Sequence, residues 1–176
     1  LDVGGTKLLA LALEPVTGAV LGHDRRPTPR GAVALVDGMA AAVDDLSARL
    51  ELGPGTPVGV GLAGLVDPRG VLRHGPNQPG VGELDVRGEL ADRLGDRVTV
   101  DNDGNCAMWA EWVSGAARHT RDAVLVTLGT GIGAGLVVGG QLVRGANGMA
   151  GEPGHTTVDP NGPPCPCGRR GCWERY

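Results

Sequence analysis

The feature that most constrains this chain is a group of cysteines in its last segment, GEPGHTTVDPNGPPCPCGRRGCWERY, residues 151–176. Three of the four cysteines lie there within eight residues, and one histidine precedes them. Such short spacings are typical of metal ligands rather than of a disulfide framework. One imidazole nitrogen and three thiolates complete a tetrahedron around Zn²⁺ with no position left for water, as in structural sites. The sequence therefore predicts a structural Zn²⁺ held by His155, Cys165, Cys167 and Cys172; the alternative is a loop of reduced cysteines without a metal.

A glycine-rich loop near the start of the chain, LDVGGTK, follows a short apolar stretch that we interpret as the end of a buried strand. Gly4 and Gly5 let backbone N–H groups approach an anion closely, while Thr6 and Lys7 offer a hydroxyl and a positive charge. Asp2 lies where it could hold a metal-bound water. The alternative is an ordinary hairpin turn between two strands.

A second loop of the same kind, LGTGIGAG at 128–135, also joins two predicted strands. Gly129, Thr130 and Gly131 combine backbone N–H groups with one hydroxyl. Alone, this loop is equally a tight turn in a glycine-tolerant sheet. Two such loops, one in each half of the chain, predict a protein that holds the phosphates of a nucleotide from both sides.

Polar residues follow a predicted strand at 98–100, in the sequence DNDGN at 101–105. Ligands of open α/β sheets bind at the carboxyl ends of strands, which makes Asp103 a candidate base for a substrate hydroxyl and Asn102 a candidate ligand of the substrate. The alternative is helix capping by Asp103 or Asn105, since Asp and Asn are preferred at N-caps. Capping accounts for one of these side chains and leaves the others to explain.

The order of predicted elements indicates an α/β protein with a mixed sheet, because an opening antiparallel meander is followed by alternating helices and strands. After Thr120 the composition changes: the predicted strands are nearly uncharged and rich in glycine. We predict a boundary between lobes there. The expected organisation is a first α/β lobe over 1–119 and the start of a second lobe over 120–176. The predicted strands cover 1–3, 8–13, 19–23, 58–63 and 98–100, and the predicted helices cover 32–52, 83–94 and 105–117.

Charge and hydropathy limit the partners of the chain. A net charge of −4 argues against a phosphate-backbone ligand, which requires clustered Lys and Arg, so we expect no nucleic-acid partner. No apolar run approaches the roughly 20 residues that span a bilayer. We therefore expect no membrane association and a cytoplasmic location.

Six motifs give the chain a family likeness. They are DVGGTK at 2–7, PNQPG at 76–80, DNDGN at 101–105, GTGIGAG at 129–135, GANGMAGEPGH at 145–155 and CPCGRRGCWE at 165–174. In this order they resemble the ROK family (repressor, open reading frame, kinase), and within it most closely the bacterial glucokinase branch. The resemblance implies an actin-like, RNase H-like two-lobed ATPase fold, with ATP, Mg²⁺ and a hexose bound in the cleft and with homo-oligomers, dimers or tetramers, as the common state.

The resemblance also implies roles for individual residues. Asp103 matches the catalytic base that accepts the proton of the sugar's 6-hydroxyl, and Asp2 would lie near Mg²⁺. The first and second glycine loops match the ATP phosphate-binding loops, and the four Cys and His positions match a zinc site. His155 could then bind the metal through one ring nitrogen and a sugar hydroxyl through the other. The positions that match sugar contacts are Asn77, Asn102, Asp103, Glu152, His155 and Glu174.

Two other activities remain open within this family. N-acetylhexosamine kinases share nearly every motif, and sugar-sensing repressors share the zinc motif but carry an additional DNA-binding domain. Family members are longer than 176 residues. We therefore expect a chain truncated at both ends with an incomplete second lobe, which alone would be poorly stable and weakly active.

Overall fold

The computed structural model describes residues 1–78 and 80–176; Pro79 of the PNQPG motif lies outside the described residues. The chain divides into two compact units, Leu1–Asp103 and Gly104–Tyr176. This division falls earlier in the chain than the predicted boundary at 119/120, because the third helix packs against the strands that follow it. The assignment of 1–119 and 120–176 to functional lobes stays a prediction.

The elements follow one another as eleven strands and three α-helices in the described part of the chain, with two short 3₁₀ turns near its end. They are β1 (Asp2–Val3), β2 (Lys7–Leu13), β3 (Val20–Pro27), α1 (Ala32–Arg49), β4 (Val58–Leu62), β5 (Leu65–Val66), β6 (Val71–His74), β7 (Leu84–Asp85), α2 (Val86–Leu94), β8 (Val98–Asn102), α3 (Asp103–Val113), β9 (Ala123–Leu128), β10 (Ile132–Val138), β11 (Gln141–Leu142) and the turns Pro153–His155 and Trp173–Arg175.

The first unit is built on a five-stranded sheet in the order β3-β2-β1-β4-β8. β1, β2 and β3 form the predicted antiparallel meander, whereas β1, β4 and β8 run parallel. The prediction of a mixed sheet is therefore confirmed. Parallel neighbours require a crossover connection: the one from β1 to β4 returns through α1, and the one from β4 to β8 contains α2.

Helix α1 forms because apolar residues recur every three or four positions, which gives the helix one apolar face. That face, including Leu35, Met39 and Leu46, is buried against the sheet in a core that contains fully buried Leu8 and Leu62. The helix ends at Arg49 rather than at the predicted residue 52, because Glu51 takes a positive φ of 52° that breaks the helical path.

A small antiparallel sheet, β5-β6-β7, was not predicted. Because Leu84–Asp85 pairs with β6, α2 begins at Val86 instead of the predicted Glu83. The Asp85 carboxylate caps the new start by accepting a hydrogen bond from the Gly88 N–H at 3.0 Å.

The second unit combines most of α3 with the sheet β11-β10-β9 and an irregular segment that ends the chain. α3 lies so close to β10 that a Cβ at Gly135 would clash with Met108. The segment after β11 also lies against β10, since the Ala134 N–H donates to the Gly151 carbonyl at 3.1 Å. Among the described residues, none of the helices has the length and apolar character needed to cross a lipid bilayer.

Candidate functional site

One edge of the five-stranded sheet carries most of the predicted site residues of the first unit. Val3 of β1 pairs with Leu62 of β4, and Leu62 pairs with Asn102 of β8, so three parallel strands end at the same level. The first glycine loop follows β1 and Asp103 follows β8. Two strand spacings of about 4.8 Å separate β1 from β8, which places the loop and the carboxylate roughly 10 Å apart at their base.

The first glycine loop is held by hydrogen bonds that the sequence did not reveal. The Gly4 N–H donates to the Lys7 carbonyl at 3.0 Å. The Gly4 carbonyl accepts from Thr28 Oγ1 at 2.7 Å and from Gln78 Nε2 at 3.2 Å. Gln78 is buried. Only its place in the PNQPG motif could have pointed to it, because the contact joins residues 74 positions apart.

Asn77 and Gln78 of the PNQPG motif contact the glycine loop directly. A Cβ added at Gly5 would lie 2.7 Å from the Asn77 carbonyl oxygen, so only glycine allows this approach. The structure therefore brings Asn77, a predicted sugar contact, beside the predicted phosphate loop. On the same loop Lys7 Nζ lies 3.8 Å from Asp2 Oδ2, and both side chains are about half exposed. An exposed carboxylate at this point offers the oxygen donors that Mg²⁺ prefers.

The DNDGN motif forms a chain of hydrogen bonds at the end of β8. The Asn102 N–H donates to Asp101 Oδ1 at 2.8 Å. Asn102 Nδ2 donates to the Gly64 carbonyl at 3.0 Å and to Asp103 Oδ1 at 3.1 Å. Asp103 is the first residue of α3, and its side chain, which accepts this bond, is exposed.

In the second unit, the second glycine loop connects β9 and β10. The Gly129 N–H donates to the Gly131 carbonyl at 3.0 Å, which closes a short turn around exposed Thr130. A Cβ at Gly131 would lie 3.0 Å from Glu174 Oε2. The loop and a predicted sugar contact are therefore neighbours within this unit.

The predicted metal ligands meet in the second unit. The ligand atoms of His155, Cys165, Cys167 and Cys172 all lie within 4.8 Å of one another. Cys165 Sγ lies 3.6 Å from His155 Nδ1, and Cys167 Sγ lies 3.6 Å from Cys172 Sγ. Zn–S and Zn–N bonds of about 2.3 and 2.0 Å place tetrahedral ligand atoms about 3.5–3.8 Å apart. The chemistry of the four side chains is therefore compatible with Zn²⁺, and the two distances of 3.6 Å fall within this range.

Two thiols of the cluster differ in their tendency to ionise. Burial raises the pKa of the Cys172 thiol to about 12, whereas the Arg169 backbone N–H lowers the pKa of the Cys167 thiol. A buried thiol of this kind becomes a thiolate when a divalent cation binds it. Metal binding at Cys172 would therefore displace the proton of the thiol.

Two predicted sugar contacts lie beside this cluster. Glu174 Oε1 is 3.4 Å from His155 Nδ1 and 3.5 Å from Cys165 Sγ. The Glu152 carbonyl accepts from the His155 N–H at 3.2 Å, at the start of the short turn Pro153–His155. The structure thus groups Glu152, His155 and Glu174 within the second unit, and groups Asn77, Asn102 and Asp103 on one sheet edge of the first.

A family model described as ROK family matches residues 1–176. The glucokinase of Streptomyces coelicolor is 38% identical over 181 residues, which cover 99% of this chain and 54% of that protein. The N-acetylmannosamine kinase of Escherichia fergusonii is 36% identical over 177 residues, covering 99% of this chain and 58% of the relative. The xylose repressor of Bacillus subtilis is 36% identical over 119 residues, which cover 68% of this chain and 31% of that protein. The chain spans about half the length of the first two relatives.

A solved structure gives the same result for the fold. The ROK family glucokinase of Streptomyces griseus, in complex with glucose and AMPPNP, superposes with a TM-score of 0.87 at 38% identity. The match covers 99% of this chain and 55% of that one.

Proposed function

The chain belongs to the ROK family and has its actin-like fold, and on that premise we propose that it is part of an ATP-dependent hexose kinase that phosphorylates the 6-hydroxyl of glucose. The observation that carries this proposal is the sheet edge of the first unit. There a phosphate-type glycine loop and the carboxylate of Asp103 follow two parallel strands that end at the same level. A kinase needs this pair of features, because it must hold a triphosphate and orient a hydroxyl towards it.

In the proposed reaction Asp103 accepts the proton of the 6-hydroxyl while the hydroxyl oxygen bonds to the γ-phosphorus. The bond between that phosphorus and the bridging oxygen breaks, and ADP leaves with the electron pair. The protein forms no covalent bond, so positioning and charge dominate. Asn77, Asn102, Glu152, His155 and Glu174 are the proposed sugar contacts. The proposed phosphate-binding residues are Gly4, Gly5, Thr6, Lys7, Gly129, Thr130 and Gly131, with Asp2 near Mg²⁺.

The proposed zinc is structural. The one nitrogen and three sulfurs of this cluster would fill a tetrahedral Zn²⁺ and would leave no position for a substrate or a water. His155 turns Nδ1 towards Cys165, which leaves Nε2 as the ring atom for a sugar hydroxyl. Metal binding at Nδ1 would fix the tautomer that carries its proton on Nε2, and so fix the ring as a donor.

The direct test is a sugar panel with ATP, using the full-length protein that contains this chain. We expect ADP release with glucose and a loss of about 10²–10⁴-fold in kcat for Asp103→Asn, with sugar affinity largely retained. Unchanged kcat in Asp103→Asn, with a higher sugar dissociation constant, would contradict the role of base.

N-acetylhexosamine phosphorylation is the second candidate, favoured by the 36% identity to an N-acetylmannosamine kinase over nearly the whole chain. The same panel decides between the two: turnover of N-acetylmannosamine without turnover of glucose would assign the protein to that activity. Sugar sensing by a repressor is a third candidate, because a xylose repressor is 36% identical over 119 residues. Specific binding of an operator DNA without any ATP-dependent transfer would favour it.

We further propose that the full-length protein is a homo-oligomer, a dimer or a tetramer, with no nucleic-acid partner. Light scattering of the purified protein measures the oligomeric state, and a monomeric mass would contradict the proposal. The cytoplasmic location expected from the sequence stays a prediction.

A further inference from the structure

The side chain of Asn102 links the proposed base to the frame of the sheet. Its Nδ2 donates one hydrogen bond to the Gly64 carbonyl at 3.0 Å and a second to Asp103 Oδ1 at 3.1 Å. We propose that Asn102 is the positioning residue for Asp103 and fixes the carboxylate before the sugar binds. This inference rests on the proposed kinase function and names a role for Asn102 in addition to sugar contact.

The orientation of the amide is set by its two neighbours. Both the Gly64 carbonyl and the Asp103 carboxylate are acceptors, and a carboxamide has one end that donates and one that accepts. The opposite orientation would place the Asn102 oxygen against two acceptors, so the nitrogen must face them. Both N–H groups of this nitrogen are therefore used within the protein.

The anchor at Gly64 is rigid. Gly64 has a φ of 135°, a conformation that residues with a side chain rarely adopt. A Cβ there would lie 2.6 Å from the His74 carbonyl oxygen and 2.9 Å from Leu72 Cδ1. The Gly64 carbonyl is thus aimed by backbone packing at the end of β4, where Leu62 already pairs with Asn102.

This contact has a consequence for the reaction. A hydrogen bond to one carboxylate oxygen limits the rotation of Asp103, so the carboxylate needs no reordering when the substrate arrives.

The test is Asn102→Asp in the full-length protein, because aspartate has nearly the shape of asparagine but, when ionised, has no N–H to donate to Asp103. We expect kcat to fall about 10²-fold, the effect of misplacing a reacting group by about 1 Å, with KM for the sugar within threefold. Asn102→Ala, which loses the oxygen as well, should lower kcat and also raise KM. Asn161→Asp places the same charge on an exposed loop residue and should leave both constants unchanged.

Calorimetric sugar titration measures the fraction of molecules that bind sugar. Dividing the maximal rate by the concentration of these molecules gives a kcat that misfolded protein does not lower. Wild-type kcat in Asn102→Asp, or a higher KM at unchanged kcat, would overturn the positioning role alone. Absence of ATP-dependent turnover of any sugar by the wild-type protein would overturn the proposed function and this inference together.

Discussion

The two units of the molecule keep their shape by different means. Among the residues of the first unit that the structure describes, seventeen that are buried and apolar form one core between the sheet and helices α1 and α2. Among the described residues of the second unit, only Met108, Ala134, Val137, Cys165 and Cys172 are buried and apolar. Two of these five are predicted metal ligands, so much of the interior of the second unit is the cluster itself.

The difference shows how each unit holds its part of the proposed site. Burial of apolar surface stabilises the sheet edge that carries Asp103, at about 25 cal/mol per Å² of surface removed from water. The segment that carries His155 and Glu174 is irregular and has few such contacts. Small regions and regions with few buried apolar residues are often stabilised instead by a cation that joins several side chains. Variants that remove one support at a time test this contrast.

The largest effect is expected from Cys172→Ser, which replaces the most buried thiol of the cluster. Structural zinc sites contribute about 10–16 kcal/mol in small zinc-binding domains, and loss of one thiolate opens the tetrahedron. We expect zinc per chain, measured by elemental analysis, to fall from one to near zero, and proteolysis within residues 151–176 to increase. Cys106→Ser is the matched control and should keep its zinc. Full zinc content in Cys172→Ser would contradict the predicted ligand set.

The next effect is expected from Leu62→Ala in the core of the first unit, where the side chain is fully buried. Loss of a buried leucine costs about 2–5 kcal/mol, because a cavity remains. Urea denaturation of the full-length protein should show this loss, while zinc content stays unchanged. Leu13→Ala is the control, since Leu13 is 52% exposed. A zinc content that fell with Leu62→Ala would show that the two supports are not separate.

Asp67→Asn should have a smaller, pH-dependent effect. Burial opposes ionisation of Asp67, but hydrogen bonds from Arg73, Val71 and Arg69 outweigh it and hold the pKa of the carboxyl well below its usual range. The carboxylate therefore stabilises the fold above the unfolded pKa of about 3.9, and this contribution is lost as the pH falls through the lower folded value. We expect Asp67→Asn to cost about 1–3 kcal/mol at pH 7.

The difference between Asp67→Asn and the wild type should narrow as the pH falls below about 4, because the Asp67 carboxyl of the unfolded wild-type chain is then protonated while that of the folded protein is still ionised. Denaturation midpoints at pH 7 and pH 3 measure this. Asp37→Asn is the matched control, because Asp37 pairs with Arg93 at 3.1 Å but is 58% exposed, and such pairs contribute about 0–1 kcal/mol. A difference that widened in acid would refute the sign of the shift.

The contrast between the units also explains what the sequence could predict. The long elements were predictable from local periodicity: α1 was expected over 32–52 and spans Ala32–Arg49. The meander and the mixed sheet were predictable from the order of elements, and the grouping of the cysteines from their spacing. In each case the pattern that carries the prediction lies within a short stretch of chain. The period of apolar residues and the spacing of metal ligands both depend on local backbone geometry.

The missed features depend on contacts between distant residues. β5 and β7 have two residues each, too few for any period to show. The bonds of Gln78 to Gly4 and of Asn102 to Gly64 join residues 74 and 38 positions apart. The partner of a polar side chain in an α/β fold is chosen by which strands become neighbours. Such partners become visible only when the sheet order is known.

The smallest effect on the metal is expected from Glu174→Gln. Glu174 Oε1 lies near His155 Nδ1 and Cys165 Sγ, but a bound cation removes the protons from both atoms, so neither could then donate to the carboxylate. Glu174 is therefore not expected to support the metal, whereas a glutamine N–H could donate to the Cys165 thiolate. We expect zinc affinity, measured by competition with a chromophoric chelator, to be equal or up to about 10-fold higher in Glu174→Gln. Sugar affinity should fall. A lower zinc affinity in Glu174→Gln would instead indicate that Glu174 is a zinc ligand. The metal would then contact a residue of the proposed sugar site directly.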